Sequence, residues 1–361
     1  MARSEPGGRE HLDWPGRPAR GEHPAAPPAG AARERLAALT RRAAARWRYA
    51  EAGKRDLRLD LLRGFAVFAM AVDHIAGASW LYAVTGGNRF FVSAAEAFVF
   101  ISGVTVGIVY GTVARAQGWG AVAARLLRRS WTLYALAIWL AVGTALVGAL
   151  LGDPSAAPFL RDPARFIFEV VTLQRTFYLV DVLLLYLFAM VAAIGAFGWL
   201  LRGRWWAVLA ASWALWGAYQ YNPAAAQLPW AILDNPVFHF ASWQVLFFTA
   251  LVLGYEREGI GAWFAARRPT AWLRAGIPVL LGAAFAALVW LSATNAAAFD
   301  RFAPRGDAAA VLDAWFMKSA LPLPRLLACA LVFGFGWVLA TRLWGPLRAV
   351  LGPFLLVLGQ G

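Results

Sequence analysis

Only one cysteine, Cys329, stands among the 361 residues, and it lies in an apolar run. Neither a disulfide framework nor a thiolate metal site can be built from it. Charge is scarce too: 15% of the residues are Asp, Glu, Lys or Arg, below the usual share of a soluble domain. The chain has no P-loop, dinucleotide fingerprint, zinc-ligand spacing or nucleic-acid module. Ser102 beside Gly103 follows no strand, which excludes a nucleophile elbow. Residues 1–55, rich in Ala, Arg, Pro and Gly, contain no apolar run of signal-peptide length. They read as a disordered basic cytoplasmic tail, with a short amphipathic helix around Arg33 to Tyr49 suited to anionic lipid.

What the chain has instead is hydrocarbon. With 60% hydrophobic residues and a mean hydropathy of +0.55, residues 56–361 read as an all-α, polytopic transmembrane bundle of about eight to ten spans. Apolar segments recur at 58–80, 91–114, 129–151, 177–201, 204–221, 236–256, 271–293 and 321–341. A ninth begins near Leu347 and stops at Gly361, too short to cross, so the chain is expected to be C-terminally incomplete. The formal charge of +14 would suggest nucleic acid in a soluble protein. Here the arginines cluster in alternate loops, at Arg115, Arg125, Arg128 and Arg129, at Arg202 and Arg204, at Arg257, Arg267, Arg268 and Arg274, and at Arg342 and Arg348. That bias predicts an N-terminus in the cytoplasm and no nucleic-acid partner.

Polar residues inside the spans are the functional candidates, because an ionised group at membrane depth is costly. In LDLLRGFAVFAMAVDHIAG, Arg63 and His74 lie eleven residues apart, about 20° from three full turns and about 16 Å in rise. Asp60 lies near the same stripe, while Asp73 points roughly 100° from His74. The next helix, SAAEAFVFISGVTVGIVYG, carries Glu96 near its outer end and Gly103, Gly107 and Gly111 at spacing four, which turns that face toward protein. Asp181, His239 and Gln244 fall within the first two turns of two later helices entering from the same side. Four segments therefore supply one outer-half polar layer.

A site that moves protons needs a base, and histidine suits that task at neutral pH when a second group fixes its tautomer. His74 is the expected base. Glu96 is the expected orienting carboxylate, since a regular helix turns Asp73 away. Asp181, His239 and Gln244 are candidates for substrate binding. Asp60, Arg63, Arg125, Arg128 and Arg129 are candidates for a cofactor-binding site, in which the arginines suit phosphate. A covalent route with His74 as nucleophile stays open. So does a proton-coupled transporter built on the same acids and histidine, although no hydropathy repeat with paired broken helices supports it. A scaffold for other envelope enzymes would leave the outer-layer charges unexplained.

Taken in order, RDLRLDLLRGFAVFAMAVDHI, SAAEAFVFISGVTVGIVYG, YLVDVLLLYLF and NPVFHFASWQVLFF resemble the OpgC-type integral membrane proteins. That resemblance spans residue 54 to the end. It implies about ten helices and O-acylation, with succinyl as the group, of an extracytoplasmic glucan at the bacterial inner membrane. It also implies acyl-CoA as the donor, no permanently bound cofactor, and association with glucan-synthesis proteins.

Overall fold

In the computed structural model the described residues are 47–50, 55–75, 79–87, 90–177, 180–267, 270–294 and 308–360. All but Trp47 belong to the unit Arg48–Gly361. The expected basic tail and its amphipathic helix lie outside the described residues, except at 47–50 and Arg55.

The helices follow as α1 (Leu57–His74), α2 (Tyr82–Thr85), α3 (Ala94–Leu151), α4 (Ala157–Arg161), α5 (Pro163–Val171), α6 (Asp181–Leu200), α7 (Trp205–Tyr221), α8 (Phe240–Tyr255), α9 (Arg257–Arg267), α10 (Ala271–Thr294), α11 (Ala308–Trp315), α12 (Leu323–Arg342), α13 (Trp344–Val350) and α14 (Gly352–Gly359). Among the described residues, strand-like pairing is confined to one bridge between Arg175 and Leu233.

Local chemistry sets the boundaries. Asp56 caps α1 by accepting from the Arg58 amide at 3.1 Å. Ser93 and Glu96 form a reciprocal capping box at the start of α3, satisfying two amides that would otherwise be orphaned in hydrocarbon. Gly152, left-handed at φ 71°, ends α3. At 58 residues, α3 would extend about 87 Å if straight, nearly three bilayer cores.

It is not straight, because Gly118 takes φ 82° and ψ 179°, a conformation that only glycine adopts readily. Both arms of α3 run alongside α6. Phe98 of the first arm packs on Tyr186, with ring centroids 5.5 Å apart. Trp119, at the turn, donates to the Ile194 carbonyl at 2.9 Å. In the second arm, Ala137, Ala141 and Ala145 share a buried cluster with Leu184. The chain therefore reverses at Gly118.

The first arm and α8 form a close seam. A Cβ on Gly103 would meet the Phe247 carbonyl, one on Gly107 the Leu251 carbonyl, and one on Gly254 the Val104 carbonyl. The glycine stripe expected to face protein thus sets backbone against backbone. Gly107→Val is expected to lower the thermal midpoint in detergent, through overpacking of about 1–3 kcal/mol. Gly143→Ala, where nothing lies within 4 Å, should leave the midpoint unchanged or raised.

By length and apolar composition four described stretches can cross a bilayer: Ala94–Leu151, Asp181–Leu200, Ala275–Ala293 and Leu323–Arg342. The expected eight to ten spans are not established by this count, for identifiable reasons. Segments 91–114 and 129–151 belong to one folded helix, α1 carries four charged residues, and α7 and α8 have 17 and 16 residues. The ninth span is instead α13 and α14, which break at Leu351. Helix α14 packs antiparallel on α1, with the Leu355 carbonyl against Gly64 and Gly359 against the Asp60 carbonyl.

Candidate functional site

Where α1 ends and the first arm of α3, α6 and α12 begin, the chain encloses a cavity of about 1230 Å³. Asp73, His74, Ser93, Asp181, Asp313, Lys318 and Arg325 line it, with Phe90, Phe91, Phe238 and Phe316 as the main aromatic walls. The volume exceeds that of a typical small-ligand pocket, about 300–1,000 Å³.

His74 closes α1 at the exposed rim. Its Nδ1 lies 2.6 Å from the Met70 carbonyl oxygen, four residues back along the helix. A carbonyl only accepts, so Nδ1 carries the proton and Nε2 is the ring's acceptor in the neutral form. The tautomer needed by a general base is thereby set by backbone.

Glu96 does not fill the orienting role expected for it. It is fully buried, and its Oε1 accepts from Arg325 Nε at 2.6 Å and also from Arg325 Nη2. Its Oε2 accepts from the Ser93 amide at 3.0 Å and from the Ser93 hydroxyl. The acid that helical phase turned into the bundle thus neutralises a buried arginine. The Met70 carbonyl, not Glu96, holds the imidazole.

Asp73 and Asp181 both reach the cavity, anchored differently. Asp73 Oδ1 accepts from the Thr85 hydroxyl at 2.6 Å, which ties α2 back to the end of α1. Asp181, the first residue of α6, accepts from the Val182 amide at 3.0 Å. On a regular helix Asp73 and His74 point apart, yet the cavity wraps around the end of α1 and meets both.

Arg325 and Lys318 are not singled out by the sequence pattern. Arg325 also donates to the Phe316 carbonyl. The turn that follows carries Lys318 and is held from α7 and α8. Trp216 donates to the Leu321 carbonyl at 3.0 Å, Gln220 to Ala320 at 2.6 Å, and Ser242 to Ser319 at 2.7 Å. Leu321 is fully buried and left-handed at φ 49°, a strained state for a non-glycine residue that persists only where its surroundings over-determine it. Burial pushes the Lys318 ammonium below its ordinary pKa, and the carboxylates of Glu96, Asp181 and Asp73 pull it back upward.

The remaining candidates lie elsewhere. Gln244 accepts from the Ser212 hydroxyl at 2.6 Å and donates to the Ser212 and Ala241 carbonyls at 2.8 and 3.1 Å. It locks α7 to α8 and does not line the cavity. His239 packs on the Tyr219 ring at 5.7 Å and lines a separate pocket of about 60 Å³.

Asp60 is held by Arg55 at 2.6 and 2.9 Å. Arg63, further along α1, donates to Thr105 and, at 3.2 Å, to the Gly359 carbonyl. Arg125 donates to Gln117 at 3.0 Å. Arg128 and Arg129, exposed, stand with it just past the reversal at Gly118. That reversal is about 33 Å down the first arm from Glu96, and these arginines follow it by about 10–16 Å along the second arm; none of them lines the cavity.

Beside the cavity the loops after α5 and α7 are joined by charge. Glu169 accepts from Arg165 at 2.8 Å and Arg175 at 2.7 Å, and Arg175 also reaches Asp234. Hydrogen bonds from Arg175 first, then Arg165, hold the Glu169 carboxyl below the usual range.

A family model described as OpgC protein matches residues 55–361. No curated protein and no solved structure matches the chain.

Proposed function

The chain belongs to the OpgC family, and from that premise we propose that it is an O-acyltransferase of the bacterial inner membrane. It moves an acyl group, succinyl in our reading, from cytoplasmic acyl-CoA to a hydroxyl of an extracytoplasmic glucan. The observation that carries this reading is His74, held by Met70 as the Nδ1–H tautomer at the rim of a cavity large enough for two substrates.

His74 Nε2 takes the proton of the sugar hydroxyl as its oxygen bonds to the thioester carbonyl carbon. The tetrahedral intermediate collapses by breaking the carbon–sulfur bond, and the imidazolium returns its proton to the departing thiolate. Asp73 and Asp181 accept hydrogen bonds from sugar hydroxyls, and the phenylalanine walls give the ring faces an apolar surface. With the N-terminus cytoplasmic, Arg63, Arg125, Arg128 and Arg129 lie toward the side where acyl-CoA is made, and guanidinium suits its phosphates. Asp60 keeps Arg63 in place, its carboxylate 4.0 Å from the guanidinium. From phosphates held at Arg63, about 16 Å from His74 along α1, the pantetheine arm would reach the cavity.

Mass spectrometry of periplasmic and surface glycans from a deletion strain tests the reading. An ester substituent present in the parent and missing in the deletion is the expected result, and it identifies acyl group and acceptor together. Unchanged glycans would overturn the enzyme reading in favour of transport through the same polar layer.

A further inference from the structure

The chemistry proposed at His74 leaves the cation of Lys318 unused. Lys318 lines the cavity wall, with the Phe238 ring 5.9 Å from its ammonium, and joins none of the ion pairs formed among the described residues. Three nearby carboxylates each have another partner: Glu96 is taken by Arg325, Asp73 accepts from Thr85, and Asp181 accepts from the Val182 amide. The turn that presents Lys318 is fixed by four side chains from three helices and contains a strained leucine. Such over-determination places a charge accurately.

We infer that Lys318 is a specificity-determining residue, receiving a carboxylate carried by the transferred acyl chain. The inference rests on the acyl-transfer reading and deepens it. His74, at the end of α1, and Lys318, in the turn before α12, line one cavity, so different elements would hold the reacting carbonyl and the distal carboxylate of a short dicarboxylic chain. An anionic acceptor fits less well, because Asp73, Asp181 and Asp313 would repel it while suiting neutral hydroxyls. Away from bulk water, a compact ammonium discriminates strongly between a carboxylate and a methyl group.

The test uses the full chain in lipid nanodiscs with a neutral glucan acceptor and two donors of equal chain length, succinyl-CoA and butyryl-CoA. Lys318→Met is expected to raise KM for succinyl-CoA by about tenfold or more, with kcat/KM for butyryl-CoA unchanged or higher. Lys318→Arg should retain the preference for the charged donor, and an unshifted thermal midpoint shows that both variants fold. Equal losses with both donors would overturn the inference and make Lys318 a structural or carbonyl-directed group. Wild-type protein transferring neither donor would instead mean that the acyl-transfer reading had failed.

Discussion

Alanine at position 74 is expected to abolish acyl transfer while the protein still inserts and folds. Removing a positioned general base typically slows a reaction by about 10²–10⁴-fold, enough to erase the ester signal from glycans. His74 is the exposed last residue of α1, so its loss opens no interior void and should leave the thermal midpoint nearly unchanged. His74→Gln makes the test sharper, because its amide can still donate to the Met70 carbonyl yet cannot accept a proton at neutral pH. Both variants should be equally inactive. Retained acylation in either would remove His74 from the reaction.

The second large effect concerns folding. Arg325→Met should destabilise the bundle by about 3–5 kcal/mol, because it leaves the wholly buried Glu96 carboxylate without its counter-charge and the Phe316 carbonyl without its donor. The double variant Glu96→Gln with Arg325→Met is expected to recover most of that loss. Glutamine keeps the capping geometry toward Ser93 and carries no charge to strand. Folded yield and thermal midpoint in detergent measure both proteins. A double variant no more stable than Arg325→Met alone would show that Arg325 acts mainly through the Phe316 turn.

Glu96 also shows how far the sequence reaches. Its helical phase relative to Gly103, Gly107 and Gly111 turns it into protein, and the seam with α8 bears that out residue by residue. Its partner is illegible from phase, since Arg325 lies 229 positions later and helical spacing says nothing about which helices are neighbours. A signal did exist: Arg325 opens an apolar helix at the end of the bundle opposite the arginine-rich loops, where a cation needs a specific reason. The reversal at Gly118 is hidden differently, because nothing local separates it from the other glycines among the 34 in the chain. Its positive φ becomes readable only once both arms are seen against α6. Gln244 misleads for a third reason, since burial at membrane depth and hydrogen bonding between helices look the same in sequence as substrate contact.

The fold at Gly118 also bears on how the chain enters a bilayer. A reversal without an intervening loop makes the two arms one helical hairpin, able to insert as a unit with no polar connection to carry across. Its tip is flanked by Arg115, Arg125, Arg128 and Arg129, and each arginine would cost about 2.5–3.5 kcal/mol at the centre of the hydrocarbon. In the proposed orientation the tip stays on the side where the chain is synthesised, and the biogenesis of this one hairpin would then fix which compartment the cavity at its other end faces.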